Sequence, residues 1–278
     1  MKNHRKIFFT LLNIFLLVAL FPARMMAAAL PQVNAAAAIV IDTPTGAILY
    51  QQNAFVLRAP ASTTKILTTI LAIECGELDD LVTVSKNAAA VGEASVNLVT
   101  NDQLTLRELL YGALLQSGND ACVAIAEHIS SCEEEYIGLM NLKAQVIGAH
   151  QTTFYNTNGL PHAGHLTTAY DLALITRYAM QNPVFRQIVQ TKDHVMRWTF
   201  PRKTKYLKNT NRLLWSYPYA TGVKTGTTIK AGKCLVASAS YGRENIIAVV
   251  LDSPNRFGDA QRLLDYGIRV KETQANAN

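Results

Sequence analysis

Residues 220–252, ATGVKTGTTIKAGKCLVASASYGRENIIAVVLD, carry the clearest strand pattern in the chain. Apolar and β-branched residues are concentrated in three runs, at residues 220–229, 233–241 and 245–252, and short turns separate these runs. Runs of this length, joined by such short connections, are expected to be strands that pair with one another. This segment therefore predicts part of a β-sheet.

A second group of strands is predicted near the start of the chain, at residues 36–42 and 47–50, with a Thr-Pro-Thr-Gly turn between them. A lone hairpin is only marginally stable in water, so we expect both groups to join in one sheet that helices cover. Apolar residues recur with helical spacing in the rest of the chain. The predicted helices span residues 62–74, 105–115, 119–130, 134–147, 168–180 and 256–270. The chain is therefore predicted to be one α/β unit whose terminal segments meet.

The first 29 residues have the pattern of an export signal. Residues 2–6 are basic, residues 7–21 are almost entirely apolar, and small residues follow at 27–29. The apolar run is about 15 residues long, whereas a helix that spans a bilayer needs roughly 20. We therefore predict a signal peptide over residues 1–29 that is cleaved.

The basic character of the chain is mainly a property of this signal. The 278 residues include 26 Lys and Arg against 20 Asp and Glu. Four of the basic residues, and no acid, lie in residues 1–29, so the remainder carries 22 against 20. This near balance removes the main argument for a nucleic-acid partner. A basic cluster remains at residues 192–212, which predicts a solvated loop or hairpin or, alternatively, contact with an anionic cell-envelope polymer.

The four cysteines do not have the spacing of a zinc site, because no CxxC pair occurs. Cys75 and Cys234 lie in apolar stretches, where buried free thiols are common. Export permits disulfides without requiring them, so the pairing of the cysteines stays open. We predict neither a metal nor another cofactor.

Ser62 and Lys65 lie at the start of the predicted helix 62–74. A spacing of three puts both side chains on one helix face. A serine hydroxyl needs a neighbouring base to become a good nucleophile, and a lysine amine is a base only when its pKa is lowered from about 10.4. The SxxK pattern alone is common, and the alternative is a helix cap followed by an exposed lysine.

Ser117 and Asn119 form a second candidate pair, on a turn between two predicted helices. Two polar side chains that lie two residues apart on a turn can face the same cleft. The alternative is an ordinary helix–helix turn in which the Asn or the following Asp caps the next helix.

Lys224, Thr225, Gly226 and Thr227 form the third motif, on the first strand of the 220–252 segment. Strand alternation puts Lys224 and Gly226 on one face and the two threonines on the other. A glycine lets a ligand approach the backbone closely, and a free strand edge can pair with an extended peptide. The alternative is an ordinary polar edge strand.

The order SxxK, SxN and KTG is that of serine–lysine acyl transferases. With these motifs the chain resembles the penicillin-recognising serine enzymes, and within them the D-alanyl-D-alanine carboxypeptidases, or low-molecular-weight penicillin-binding proteins (serine peptidase family S11). The resemblance extends over about residues 35–269. It implies a β-lactamase/transpeptidase-like α/β fold, with an antiparallel sheet built from the N- and C-terminal strands and covered by helices on both faces. The flanks that support it are residues 59–65, 117–121, 158–160 and 222–227.

The resemblance implies a serine-type D-Ala-D-Ala carboxypeptidase that removes the terminal D-alanine from peptidoglycan stem peptides. Ser62 would attack the carbonyl between the two D-alanines and form an acyl-enzyme, and Lys65 would accept the Ser62 proton. Ser117 would relay a proton to the departing amine. Asn119 would assist this relay and hold the substrate backbone.

The KTG strand has implied roles in binding and in charge stabilisation. Lys224 would bias proton movement and, with Thr225 or Thr227, bind the terminal carboxylate beside Gly226. The backbone N–H groups of Ser62 and Thr227 would form the oxyanion hole. The implied partners are a peptidoglycan pentapeptide ending in D-Ala-D-Ala and, as covalent inhibitors, β-lactam antibiotics. The implied location is extracytoplasmic, in the cell envelope, periplasm or cell-wall space.

The resemblance also implies a penicillin-binding catalytic domain over residues 30–272 and a short tail over residues 273–278. Many family members carry a further β-rich domain and an amphipathic C-terminal anchor, for which this tail leaves no room. Membrane contact is therefore expected only if the signal peptide stays uncleaved.

Three alternative functions stay open. A D,D-endopeptidase that cleaves cross-linked peptidoglycan would use the same residues. A class A β-lactamase needs a glutamate between the second and third motifs, and Glu133, Glu134 and Glu135 come too early for that role. A non-catalytic envelope-binding protein would keep the fold but turn Lys65 away from Ser62.

Overall fold

A computed structural model describes residues 29–275 of the chain. The predicted signal peptide, apart from its last residue, lies outside the described residues, as do residues 276–278 of the predicted tail. The strands are β1 (Ala37–Asp42), β2 (Ile48–Gln52), β3 (Leu81–Thr83), β4 (Gln103–Thr105), β5 (Asp193–Arg197), β6 (Thr204–Lys208), β7 (Ala220–Thr228), β8 (Gly232–Tyr241) and β9 (Glu244–Leu251). The α-helices are α1 (Lys65–Cys75), α2 (Lys86–Ala90), α3 (Leu106–Leu115), α4 (Asn119–Ser130), α5 (Glu133–Ile147), α6 (Ala169–Ala179), α7 (Pro183–Gln190), α8 (Leu213–Ser216) and α9 (Arg256–Ala275).

Five strands form one antiparallel sheet in the order β2-β1-β9-β8-β7. Strand β1, from the start of the chain, pairs along its whole length with β9, so that Ala37 lies opposite Leu251 and Asp42 opposite Ile246. The predicted α/β fold, with an antiparallel sheet built from strands of both ends of the chain, is confirmed.

Both faces of the sheet are covered, because successive side chains of β1 alternate between two apolar cores. Ile39 and Ile41 pack into the larger core, which includes helices α1, α3, α4 and α6. Ala38 and Val40 pack into the smaller core on the opposite face, which α9 covers. Strand β7 lies at the edge of the sheet and contacts a 3-10 helix, Ala61–Thr64, which directly precedes α1. This contact brings the first and third motifs together.

Several elements differ from their predictions. Two short antiparallel pairs, β3 with β4 and β5 with β6, lie outside the main sheet. The β5–β6 pair contains much of the basic cluster at residues 192–212, in agreement with the hairpin alternative. Cys75 was expected to be buried but is exposed, because it is the last residue of α1, where the helix leaves the core. All four cysteines are free thiols. Within residues 29–275, no helix combines the length and the apolar character needed to cross a membrane.

Candidate active site

The Ser62 turn is held in an unusual backbone conformation. The sequence predicted Ser62 in the first turn of the helix that is now α1. In the structure, Ser62 lies instead in the 3-10 helix that precedes α1. Because a 3-10 helix has three residues per turn, residues i and i+3 lie directly above one another, and Lys65 still lies next to Ser62. Ala61 has a positive φ of 50°, which a non-glycine residue rarely adopts.

The loop at Gly159 packs directly against this turn. Gly159 has a φ of 89°, and a Cβ atom at this position would lie 2.0 Å from the carbonyl oxygen of Ala61. Only a glycine therefore permits this contact without a shift of the backbone.

Lys65 is completely buried and contacts three polar groups. Its Nζ lies 3.0 Å from Ser62 Oγ, 2.8 Å from Asn119 Oδ1 and 2.5 Å from the carbonyl oxygen of Asn158. Two of these partners only accept, whereas the serine hydroxyl also donates. A neutral amine has two N–H donors and one lone pair, so its lone pair is left for the Ser62 hydroxyl. Burial lowers the pKa of Lys65 from 10.5 to about 8, which favours this neutral form.

A second lysine–serine pair lies beside the first. Ser117 connects α3 to α4 with a positive φ of 64°, and Lys224 Nζ lies 3.0 Å from its Oγ. Lys224 also donates to the carbonyl of Thr225 at 2.9 Å. Burial lowers the pKa of Lys224 well below its ordinary value, and the nearby charge of Lys65 adds to this effect. Two buried amines with lowered pKa values therefore lie within one site.

Asn119 links the site to the loop that contains Gly92. Its Oδ1 accepts from Lys65, and its Nδ2 donates to the carbonyl of Gly92 at 3.0 Å. The next residue, Asp120, is also buried, and its carboxylate accepts the backbone N–H groups of Val96 and Leu98 at 3.1 and 3.0 Å. The SGND sequence therefore shapes the loop that borders the site, a role that the sequence analysis did not predict for Asp120.

The β7 strand forms the opposite wall of the site, and its side chains alternate as predicted. A Cβ atom at Gly226 would lie 3.0 Å from the backbone nitrogen of Ser62, so the glycine allows the strand to approach the nucleophile. On the other face, Thr225 Oγ1 lies 2.7 Å from Thr210 Oγ1. Arg256 donates to Thr227 Oγ1 at 2.7 Å and to the Gly226 carbonyl at 2.8 Å. Arg256 was not predicted as a site residue, because no motif surrounds it.

A chain of hydrogen bonds from His165 supports the Ser62 turn. His165 Nδ1 accepts from the backbone N–H of Tyr155 at 3.1 Å, so the proton of the neutral ring is on Nε2. Nε2 lies 2.8 Å from Thr64 Oγ1, which in turn donates to the carbonyl of Ala61 at 2.9 Å. Burial is the main cause that lowers the pKa of His165 to about 4, so the ring is neutral at pH 7. His162 accepts the backbone N–H of Gly164 at 3.1 Å, so both histidines accept a backbone N–H.

Glu133 is one of the three glutamates that were considered for a class A β-lactamase. Its Oε1 accepts from the backbone N–H of Thr157 at 3.0 Å and from the Thr157 hydroxyl at 2.7 Å. The carboxylate thereby fixes the segment that presents the Asn158 carbonyl to Lys65. This role was also missed, because nothing in the sequence links Glu133 to a loop so far along the chain.

The structure thus brings all eight predicted site residues together around Ser62. A hydroxyl lies beside a buried amine, a second hydroxyl lies beside a second amine, and an edge strand passes both. These groups suit acyl transfer to a serine, in which a base activates the nucleophile and backbone N–H groups stabilise the oxyanion. Within the part of the chain that the structure describes, no group of three or more His, Cys, Asp or Glu residues is arranged to hold a metal ion.

Known proteins share this arrangement. A profile of the D-alanyl-D-alanine carboxypeptidase family, peptidase family S11, matches residues 24–255. The chain belongs to this family. One curated relative in the carboxypeptidase family, D-alanyl-D-alanine carboxypeptidase DacF of Bacillus subtilis, is 37% identical over an alignment of 248 residues that covers 86% of this chain and 64% of the relative. Another, D-alanyl-D-alanine carboxypeptidase DacC of Escherichia coli, is 37% identical over an alignment of 258 residues that covers 87% of this chain and 63% of the relative.

The chain therefore spans slightly less than two thirds of the length of these two carboxypeptidases. Its fold also matches a solved structure. The crystal structure of the Streptomyces K15 DD-transpeptidase superposes with a TM-score of 0.82 at 35% identity, and the match covers 86% of this chain and 98% of the other. The predicted family and the transpeptidase-like fold are thus confirmed.

Proposed function

We propose that the chain is a serine-type D-Ala-D-Ala carboxypeptidase that removes the terminal D-alanine from peptidoglycan stem peptides. The observation that carries the proposal is the 3.0 Å contact between Ser62 Oγ and the buried Nζ of Lys65, whose pKa is lowered to about 8. A non-catalytic binding protein has no need to bury an amine beside a serine, because burial of an amine destabilises the fold. Membership of the carboxypeptidase family supports the proposed substrate class.

In the proposed reaction, Ser62 Oγ attacks the carbonyl between the two D-alanines while Lys65 accepts its proton. The oxyanion is stabilised by the backbone N–H groups of Ser62 and Thr227, because Gly226 lets this part of β7 approach the Ser62 nitrogen closely. Ser117, in contact with Lys224, relays a proton to the departing amine. Water then hydrolyses the acyl-enzyme.

Binding of the substrate is assigned to the β7 edge and to Asn119. The extended peptide pairs with the strand edge, and the Asn119 side chain holds its backbone. Lys224, Thr225 and Thr227 are proposed to bind the terminal carboxylate. Arg256 supports this pocket, because its guanidinium contacts the Thr227 hydroxyl.

β-Lactam antibiotics are proposed to acylate Ser62 and to be released slowly. Rapid hydrolysis of the kind that a class A β-lactamase performs needs a glutamate that activates water. The Glu133 carboxylate is instead engaged with Thr157. We therefore expect a fluorescent penicillin to remain bound after acylation.

The proposed place of action is outside the cytoplasm, since peptidoglycan stem peptides are found there. This location agrees with the predicted signal peptide over residues 1–29, which is itself a proposal. Contact with the membrane is proposed only for a chain that retains this signal.

The test is release of D-alanine from a soluble pentapeptide ending in D-Ala-D-Ala, measured with wild type and Ser62→Ala. We expect release by the wild type and none by the variant, which keeps the fold because Ser62 contributes one small side chain. The same two proteins are incubated with a fluorescent penicillin, and only the wild type is expected to become labelled. A folded wild type that neither releases D-alanine nor becomes labelled would refute the proposed function.

A further inference from the structure

The amine of Lys65 needs a defined orientation for the proposed reaction, because its lone pair has to face Ser62 Oγ. Two contacts of Nζ set this orientation, at 2.8 Å from Asn119 Oδ1 and 2.5 Å from the carbonyl oxygen of Asn158. A neutral amine donates to both oxygens and keeps its lone pair for the hydroxyl. The places of these two acceptors therefore decide where the lone pair points.

The two acceptors are held in different ways. Asn119 is the first residue of helix α4. Asn158 lies in the segment between α5 and α6, outside the helices and strands of the described chain. A loop group keeps a fixed direction only where neighbouring groups lock it by packing and hydrogen bonds. On the N-terminal side of Asn158, these contacts are made by Thr157.

Thr157 is completely buried and is held from two sides. On one side, Glu133 Oε1 accepts from its backbone N–H at 3.0 Å and from its hydroxyl at 2.7 Å. On the other side, its carbonyl accepts from Thr68 Oγ1 at 2.6 Å. The Thr157 carbonyl carbon is bonded to the nitrogen of Asn158, so these contacts fix the residue whose carbonyl accepts from Lys65.

These hydrogen bonds form a closed ring around the base. Thr68 follows Lys65 by three residues on α1, so the two side chains lie on one face of that helix. The ring passes from Lys65 to the Asn158 carbonyl, along the chain to Thr157, and back to α1 through the Thr68 hydroxyl. Glu133, in the first turn of α5, holds the ring from outside.

Helix α5 is attached to the ring at a second point. The buried hydroxyl of Tyr136, about one turn after Glu133, donates to the carbonyl of Thr68 at 2.6 Å. Burial raises the pKa of Tyr136 well above its ordinary value, so the hydroxyl keeps its proton and remains a donor. The start of α5 is thus bonded both to α1 and to the loop, and its contact with Thr157 comes from Glu133.

We propose that Glu133 is a positioning residue that, by holding the Asn158 carbonyl in place, orients the lone pair of Lys65 towards the nucleophile. This inference rests on the proposed function, because it concerns the same base and the same serine. Within residues 29–275, the hydrogen bonds of the Glu133 carboxylate go to Thr157 and not to Lys65. Glu133 therefore acts through the geometry of the loop.

This geometry predicts that the charge of Glu133 is dispensable. Both donors of Thr157 end on the same oxygen, Oε1. A carboxamide oxygen has two lone pairs and is able to accept both. Glu133→Gln is therefore expected to retain the two hydrogen bonds, whereas Glu133→Ala loses them.

The test is single-turnover acylation of the full chain by a chromogenic β-lactam over a range of concentrations. This experiment separates the rate constant for acylation from the dissociation constant of the initial complex. In Glu133→Ala, the rate constant is expected to fall about 10–100-fold, because the base is no longer held in line with Ser62. The dissociation constant is expected to stay at the wild-type value, since Glu133 is not part of the β7 edge. Glu133→Gln is expected to have both wild-type constants.

The matched control is Glu134→Ala. Glu134 is exposed and lies in the same first turn of α5, so this variant removes the same charge from the same helix end. Both of its constants are expected to equal those of the wild type. Urea unfolding checks that each variant is folded. If Glu133→Ala is not, Thr157→Val takes its place, since it loses the hydroxyl contact alone, and it is expected to lower the rate constant by a smaller factor.

Three results would overturn the positioning role. They are a wild-type rate constant in the folded variant that lacks the contact, a change confined to the dissociation constant, and a Glu133→Gln variant as slow as Glu133→Ala. The last result would assign the effect to charge. Each of them leaves acylation of the wild type intact, whereas a folded wild type that is not acylated would refute the proposed function itself.

Discussion

At the scale of single residues, the protonation of Lys65 controls the proposed chemistry. The amine accepts the Ser62 proton only in its neutral form, so acylation is expected to become faster as the pH rises. With a pKa of about 8, the neutral fraction grows about tenfold per pH unit below pH 8 and levels off above it. The measurement is the second-order rate constant for acylation by a fluorescent penicillin as a function of pH.

The Lys65→Arg variant tests the same point, because a guanidinium does not lose its proton in this pH range. Its acylation rate is expected to fall by about 10²–10⁴-fold. Lys230→Arg, at an exposed lysine, is the matched control and is expected to acylate at the wild-type rate. A wild-type profile that stays flat between pH 6 and 9 would exclude Lys65 as the base.

Protonation of His165 is expected to lower the free energy of unfolding in acid. Its pKa is about 4 in the folded protein and about 6.5 when unfolded, so between these values only the unfolded chain takes up the proton. Stability is therefore complete above about pH 6.5 and is lost as the pH falls towards 4. His165→Gln keeps one acceptor and one donor but does not titrate. Between pH 7 and pH 4.5, the wild type is expected to lose about 2 kcal/mol more unfolding free energy than this variant.

Urea unfolding at both pH values provides this comparison. His162→Gln is the control, since His162 stacks on Tyr155 near the surface and does not contact Thr64. Equal losses in wild type and His165→Gln would show that folding does not lower the pKa of His165. At pH 7, His165→Gln is expected to keep penicillin acylation, because the bond to Thr64 is conserved.

At the scale of elements, the contact between the 3-10 helix and the Gly159 loop fixes the nucleophile. Gly159→Ala adds a Cβ atom at a φ of 89° and 2.0 Å from the Ala61 oxygen. Strain and displacement together are expected to destabilise the protein by about 1–3 kcal/mol and to slow acylation, since Ser62 follows Ala61. Denaturant unfolding and penicillin labelling measure the two effects.

Gly138→Ala is the matched control for this substitution. Gly138 lies within α5, and nothing lies within 4 Å of an added Cβ atom. The change is expected to stabilise the protein by about 0.5–1 kcal/mol, because alanine loses less backbone entropy in a helix. If both variants had the same stability and acylation rate, the close approach of the Gly159 loop to Ala61 would have no role in either property.

The elements also show what a sequence can predict. Strands β7, β8 and β9 were predicted to within one residue at either end, because each is a long, mostly buried run. Strands β3 and β4 were missed, since three-residue strands have too short a pattern. Helix α7 carried a usable signal, because the side chain of Asn182 caps it and Pro183 begins it, but its short sequence was not interpreted as helical.

The groups of the candidate active site were likewise predicted only in part. The side chains of the three motifs were predicted from their order in the sequence, and the structure brings them together. The Asn158 carbonyl was not predicted as a partner of Lys65, because any residue supplies a backbone carbonyl and only the folded loop determines where it points. Arg256 and Asp120 were missed for a related reason, since their roles depend on strands and loops that lie far away in the sequence.

At the scale of the whole molecule, the interleaved strands predict one cooperative unit over residues 30–272. The sheet needs strands from both ends. Trp198, which follows β5, is tied to the segment before β4, because Asp102 accepts its indole N–H at 2.8 Å. We therefore expect a single unfolding transition in urea. Circular dichroism follows the helices, and in Trp215→Phe the fluorescence follows Trp198 alone. The two curves are expected to share one midpoint.

An earlier fluorescence transition would show that the β5–β6 pair unfolds independently of the rest. Trp198→Phe, which leaves Trp215 in α8 as the reporter, is the complementary control. Its fluorescence is expected to change at the same urea concentration as the circular dichroism, because α8 packs through Leu213 into the core beneath α9.

The place of β1 between β2 and β9 also has a consequence for biosynthesis. A ribosome releases β1 long before β9, so the nascent chain lacks the β9 partner of β1 until the intervening helices and strands have been synthesised. Closing so long a loop is slow, since the contact is distant in sequence. The main sheet therefore forms only after β9 has been synthesised. Until then the polypeptide is still able to pass through a translocation pore as an extended chain, in the interval in which its proposed signal is recognised.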